Sequence, residues 1–492
     1  MHDAGGKETN PYHFAASNIL VGVMQSLLRE RLAHLLRRAG LSASRAEVER
    51  YLPLGIEGTI DALLHYDQEP EAIDDTEILR LLQGDSLRLQ PQMVSAWWIY
   101  RMLVTRRPLQ ERMALFWHNH FATSASKVND GRLMLMQIQL FQRLGVGNFG
   151  TLVLEVARDP AMLVWLDGFR NVKGKPNENF ARELLELFTM GIGHYTEQDI
   201  KEAARAFTGW TYSRVTGAFV FNRAQHDDGE KVFLGRRGHF GGEDIVRIAV
   251  EHPATATSIA RKFYRHFVND IDPPDEKAVA ALAKTFTESG YEIKALLRRL
   301  LTSTVFWSER AFRKRIKSPV EFVIGTLRQV GVGERLREVN LSEARGQRTL
   351  LAFLRLGGQW MRRMGQALLY PPDVAGWEWG TAWISSATML ERMRFAQMLT
   401  GPAIGAGGRG RVARPALTTL RALAGDTPPE TLEAFVDRLE QTLDVRLQKE
   451  TRRKLIDYLQ AKGGLDALHI NDRELINGAL QIVFASAEYQ FL

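Results

Sequence analysis

Apolar residues recur at spacings of three and four along most of the chain, the period of helices that bury one face. The pattern runs through Gly131 to Leu144, Asn177 to Met190, Thr196 to Phe207 and Glu243 to Val250. It continues through Ala254 to Val268, Glu276 to Phe286 and Ile293 to Leu301. Near the start, "AHLLRRAGLSASRAEVERYLPLG" predicts a short helix, a turn at Gly40-Leu41 and a second helix capped by Ser42 or Ser44. "LQPQMVSAWWIYRMLVTRRPLQERMALFWHNHF" predicts two helices broken before Pro108. One stretch departs from the period. "GWTYSRVTGAFVFNRAQHDDGEKVFLGRRGHFGG" carries β-branched and aromatic residues, Gly turns and rough alternation, which predicts a β-hairpin inserted near 211–240.

The expected fold class is therefore mainly α. A partly disordered extension over 1–30 precedes one large multi-helix domain at 31–399. The Gly-rich "TGPAIGAGGRGRVARPA" at 400–416 is expected to be a loop or linker. A helical C-terminal tail at 417–492 is expected to pack back on the main domain. No fixed-period repeat supports a solenoid.

Composition adds mostly exclusions. With 45% hydrophobic and 25% charged residues in 492, a packed core is expected. The net charge of +7 is small for this length, and acids are mixed among the bases. The densest basic region, Arg298 to Ser318 with "RRLLTS" and "RAFRKRIKS", has no aromatic platform around it. It is expected to be a solvated helix face, and nucleic acid is not an expected partner. Absence of cysteine excludes disulfides, thiolate metal sites and a cysteine nucleophile, while leaving the compartment open. The N-terminus lacks a basic region followed by an apolar run, and no stretch reaches the roughly 18 apolar residues of a membrane span. These features predict a soluble, cytoplasmic chain. No Gly-x-Ser-x-Gly elbow, phosphate loop, dinucleotide fingerprint or His-Glu-x-x-His helix is present.

Four stretches carry candidate chemistry. In "LFWHNHFATS", a helix over Leu109 to Phe121 puts His120 on the apolar side with Leu109, Met113 and Phe116, and turns His118 nearly opposite. Two histidines two apart cannot chelate one ion from a regular helix, although a frayed helix end would allow it. His120 is then either a hydrogen-bonded core histidine or part of a polar pocket. In "DGFRNVKGKPNENFARELLELFTMGIGHYTEQDIKEAARAFTGW", Asn177 can cap a helix whose first turn holds Glu178. Its apolar face is Phe180, Leu184, Leu187 and Phe188, and Asn179, Arg182, Glu183 and Glu186 form a polar stripe. Paired carboxylates beside an arginine suit acid–base or metal chemistry, and equally suit solvated ion pairs. Thr196 with Asp199 predicts a capping box on the next helix.

The third stretch, "AQHDDGEKVFLG", offers His226 with Asp228 as a His-x-Asp pair, with His239, His252 or His266 as a third ligand. Alternatively, His226 is an imidazole oriented by Asp227, or the loop serves only turn chemistry. The fourth, "LLYPPDVAGWEWGTAWISSATMLERMRFA", clusters Trp377, Trp379 and Trp383 after Asp373. It is either a binding loop or a plug in the core.

Taken together, "HLLRRAGLSASRAEVE", "FWHNHFATS", the Gly174-to-Trp210 segment, "HDDGEKVFLG", "HPATATSIARKFYRHFV", "KSPVEFV" and "MGQALLYPPDVAGW" resemble the bacterial domain of unknown function 1800 family. The resemblance runs from about His34 to Arg394 and returns in "FASAEYQFL". It implies a large bacterial protein, often exported to the periplasm or envelope. It also implies a neighbour in the domain of unknown function 1501 family, which looks like the alkaline-phosphatase and sulfatase superfamily. Where the family usually has Lys in Pro-Asp-Val-Lys-Gly-Trp, this chain has Ala375. The family motifs are polar at many positions, which suggests that they satisfy one another or a ligand. The resulting expectation is one pocket with Glu183 or His226 as base and Arg182 as clamp. His118, His120 and Asp227 would hold a divalent metal. Asn119, Asn177, Glu178, Asn179, Glu186, Asp373 and Trp377 would line it. The alternative is a non-catalytic assembly or chaperone partner of the 1501-family protein.

Overall fold

A computed structural model describes residues 11–71, 73–400, 429–469 and 473–492. The Gly-rich segment expected as a linker lies, from residue 401 on, outside them. Helices dominate, as the periodicity predicts. The expected N-terminal extension is, from Pro11 on, the start of α1 (Pro11–Ala39), a 29-residue helix. Ser44, and not Ser42, caps the helix after it, in a capping box with Glu47.

Next come α2 (Pro91–Val104), α3 (Pro108–His120) and α4 (Gly131–Leu144). Both α2 and α3 are buried on almost every side, including Trp97, Trp98, Trp117 and the polar Glu111 and Arg112. A helix covered all round has no solvated face on which to leave charge, so its polar groups must pair internally. Accordingly, Glu111 accepts from Trp98 Nε1 at 2.9 Å, Arg101 Nε at 2.9 Å and Gln142 Nε2.

Helix α5 (Asn179–Glu183) continues into π-helical spacing over Leu184–Phe188. The wider turn rotates the buried face. Leu185 is buried and Leu187 only half-buried, whereas unbroken α-periodicity puts Leu187 inside. Helix α6 (Glu197–Ala206) starts with the expected Thr196–Asp199 capping box. The inserted β structure is two small antiparallel hairpins: β1 (Trp210–Tyr212) with β2 (Phe219–Phe221), and β3 (Lys231–Phe233) with β4 (Arg236–Gly238).

Beyond them, α7 (Pro253–Phe267), α8 (Pro319–Gln329), α9 (Ala344–Arg363) and α10 (Ser386–Thr400) complete the frame of the site. Helix α11 (Arg473–Ala485) lies along α10, and Phe484 and Tyr489 pack edge-to-face with Phe322 of α8. The C-terminal helices thus share the main hydrophobic core. Among the described residues no helix is long and apolar enough to cross a membrane.

The basic region is the main departure. Arg298 and Arg299 end a helix, but Arg315 and Lys317 are buried and do not belong to a solvated face. The alternation of charge resembles a surface, and tertiary contacts from α1, α3 and the C-terminal end cover it.

Candidate functional site

Helix α3 delivers three consecutive polar side chains to three different places. His118 is fully buried against Trp98 and Trp377, and neither ring nitrogen has a hydrogen-bond partner. Burial pushes its pKa down to about 3, so it is a neutral core imidazole. Asn119 grips the backbone of Trp377: Oδ1 accepts from its N–H at 2.6 Å, and Nδ2 donates to its carbonyl at 3.3 Å. His120 lies on the other side, where its Nε2 meets the Phe188 carbonyl at 3.1 Å. That bond makes Nε2 the protonated nitrogen, leaving Nδ1 to accept from Lys262 Nζ at 3.0 Å. Lys262 also donates to the Leu187 carbonyl at 2.6 Å, and burial brings its pKa down to about 8. His120 and Lys262 together therefore cap carbonyls freed by the π-helical turn.

Four residues along α7 from Lys262, and on the same face, sits His266. It lines a partly open cavity of about 40 Å³. Helix α3 contributes Leu115, Phe116 and Asn119 to its wall. Asp270 follows α7, and Arg315, Ser318 and Glu321 come from the entry to α8. Trp377, Trp379 and Trp383 form the roof. Two glycines let that roof close. Gly376 (φ +85°) leaves no room for a Cβ beside Asn119, and at Gly380 (φ +63°) a Cβ would come within 2.7 Å of the Asp270 carbonyl.

The electrostatics of the cavity are unusual. Glu321 Oε1 is shared by Arg112 and by Arg315 at 2.6 Å, while Oε2 accepts from the Ser318 N–H at 2.7 Å. Those guanidiniums hold Glu321 well below the ordinary carboxyl range against the effect of burial. Asp270 accepts from the Ile316 and Gly380 N–H groups, both at 3.2 Å, and burial raises its pKa. His266 is kept neutral by burial and by Arg315 and Arg112, and its Nε2 has no partner. The cavity lining therefore brings together a neutral imidazole, a carboxyl whose pKa burial raises, and a guanidinium.

Of the residues expected from sequence, Asn119 and Trp377 line this cavity; Glu183, His226, Arg182, His120 and Asp227 do not. Arg182 is engaged by Glu197 at 2.9 Å and Glu178 at 3.3 Å at the surface. Glu183 is half-buried, and burial with the neighbouring Glu186 raises its pKa; Glu186 accepts from the Tyr195 hydroxyl at 3.1 Å. Asn177 Oδ1 accepts from the Asn179 N–H at 2.9 Å, and the Asn177 N–H is held by Asn171. His226 donates from Nδ1 to the Thr208 carbonyl at 2.9 Å. Asp227 is bound by Arg205 Nε at 2.8 Å, which pulls its pKa down to about 2. Lys231 Nζ donates to the Asp227 and Gly229 carbonyls. This motif thus staples the second hairpin to α6. Asp373, exposed, accepts from the Ala375 N–H at 2.9 Å in the turn before the roof.

Among the proposed third ligands, His239 bonds the Asp228 carbonyl, His252 faces His194, and His266 is in the cavity. Among the described residues no three His, Asp or Glu side chains are gathered as a metal ion would need. Sequence reasoning missed Asp270, Arg315 and Glu321. The Ser-x-x-Glu spacing in "KSPVEFV" was a usable signal for Glu321, since it forms a capping box with Ser318.

Fold and site define a mainly helical protein with a small cavity lined by tryptophans, one buried arginine, a histidine and acidic side chains. The family model described as "Protein of unknown function (DUF1800)" matches residues 34–491, so the chain belongs to that family. Comparison with curated proteins and with solved structures gives no match.

Proposed function

We propose that the chain is an enzyme that draws a small polar group of its substrate into the tryptophan-roofed cavity. One observation carries this reading. A neutral imidazole with an unbonded Nε2, His266, lines a small, partly open cavity together with Asp270 and Arg315. Paired groups with opposed protonation preferences are what general acid–base chemistry uses. In this scheme His266 accepts a proton from the substrate, Asp270 supplies one, and Arg315 balances developing negative charge. These roles replace the ones expected of Glu183, His226 and Arg182, and no step requires a metal. A volume of about 40 Å³ admits only a small molecule's functional group or the end group of an envelope polymer.

Metabolite profiling of a cell extract incubated with the protein tests this. Compounds consumed by the wild type should be spared by His266→Asn and Asp270→Asn, with rates down roughly 10²–10⁴-fold and cooperative melting retained. Equal consumption by the variants, or none by the wild type, rejects the scheme. A non-catalytic partner of a 1501-family protein is the second reading. It is favoured by the extent to which the Asn177–Asn179 and His226–Lys231 groups satisfy one another.

A further inference from the structure

The charges around the cavity do not balance. Arg38, Arg112 and Arg315 are all buried, and among the described residues the buried acids that face them are Glu321 and Asp270. Arg112 and Arg315 share a single oxygen of Glu321. Arg315 Nε stands 3.8 Å from Asp270, too far for a hydrogen bond, and has no partner. Arg38 donates from one nitrogen to the Ala311 carbonyl, while its Nε and Nη1 are unbonded. Behind this group, Arg392 is fully buried, bonds the Gln490 side chain and the Lys317 carbonyl, and lies over the Phe322 ring at 4.8 Å, while Lys317, whose pKa burial lowers, lies over the Tyr489 ring at 3.5 Å. Glu378, on the cavity wall, is exposed.

Buried guanidiniums without matching carboxylates are costly unless another anion completes the set. The space beside Arg315 suits a compact one. About 40 Å³ corresponds to roughly three water molecules, on a requirement of about 10–15 Å³ each. That accommodates a planar or tetrahedral oxyanion group but not a sugar ring. We infer that the cavity binds an oxyanion, a carboxylate or a sulfate or phosphate group, against Arg315, with Arg38 and Arg112 supplying the field behind it. Arginine's fork geometry matches such groups, and the tryptophan roof removes competing water. The inference rests on the proposed reading of the cavity as a ligand site, and not on its catalysis.

The test is equilibrium binding to the full chain, by thermal shift and calorimetry, using sodium formate, sulfate and phosphate. Sodium chloride at equal ionic strength is the control. At least one oxyanion should raise the melting temperature saturably by a few degrees where chloride does not, and the comparison identifies the class. Arg315→Lys should weaken that affinity tenfold or more, whereas Arg182→Lys, at the surface away from the cavity, should keep it. Crystals soaked in selenate should show the anomalous selenium peak beside Arg315, a readout that stands even where Arg315→Lys does not fold. No oxyanion effect beyond chloride, an undiminished shift in folded Arg315→Lys, or selenate ordered only elsewhere overturns the inference. Binding retained by His266→Asn with turnover unaffected would sink the catalytic proposal alone.

Discussion

Glu321 shows how much one side chain carries in this protein. It accepts from two guanidiniums and from the backbone at the start of α8, all out of solvent. Replacing it with Gln keeps the shape but leaves Arg112 and Arg315 without the shared charge. Glu321→Gln should therefore cost about 3–5 kcal/mol in urea unfolding. The pH dependence has a definite sign. Because the folded-state pKa lies below the unfolded one, the stabilisation is complete above the unfolded value near 4.5. It is lost as pH falls through the folded value. The wild type should lose stability on acidification more steeply than Glu321→Gln; parallel pH profiles would contradict the pairing. Local sequence signals the capping role of Glu321 through Ser318, but not its pairing with Arg112, which lies 209 residues away in the chain.

At the scale of elements, the roof depends on backbone conformation more than on its tryptophans. Gly376 is at φ +85° with its missing Cβ directed at Asn119. Gly376→Ala should thus cost about 1–3 kcal/mol and weaken the Asn119–Trp377 clamp, read as a lower melting temperature and altered tryptophan emission. Its neighbour Ala375 is exposed. Ala375→Lys, which restores the residue usual at this motif position, should change stability by less than about 0.5 kcal/mol. A large loss there would show that the turn is more constrained than its exposure indicates. That the tryptophans cluster was legible from the sequence; that they line a cavity was not. Nor was the slip of α5 into π-helical spacing, because it answers contacts from His120 and Lys262, which lie far away in the chain.

Across the whole molecule, residues beyond the Gly-rich segment are tied into the same body as the first helix. Arg37 of α1 makes bonds of 2.7 and 2.6 Å to both oxygens of Asp444, and Arg313 joins the same carboxylate at 3.5 Å. Asp444→Asn should lower stability by about 3 kcal/mol, because Arg37 is almost fully buried. Melting should remain one transition, coincident by far-ultraviolet dichroism and tryptophan fluorescence. Two separated transitions would mean that the C-terminal helices do not share the main core.

Sequence alone determined the helical class, most helix positions, the capping box at Thr196 and the family, because these rest on periodicity and short-range hydrogen bonding. It also marked Asn119 and Trp377, which line the cavity. Only tertiary structure decided which polar motifs pair with protein groups and which line a cavity. His226, Asp227 and Arg182 find protein partners, whereas His266, Asp270 and Arg315 converge on one small cavity. The reason is physical: a side chain's charge and hydrogen-bonding capacity are local, but whether that capacity is already used depends on neighbours that folding brings from hundreds of residues away.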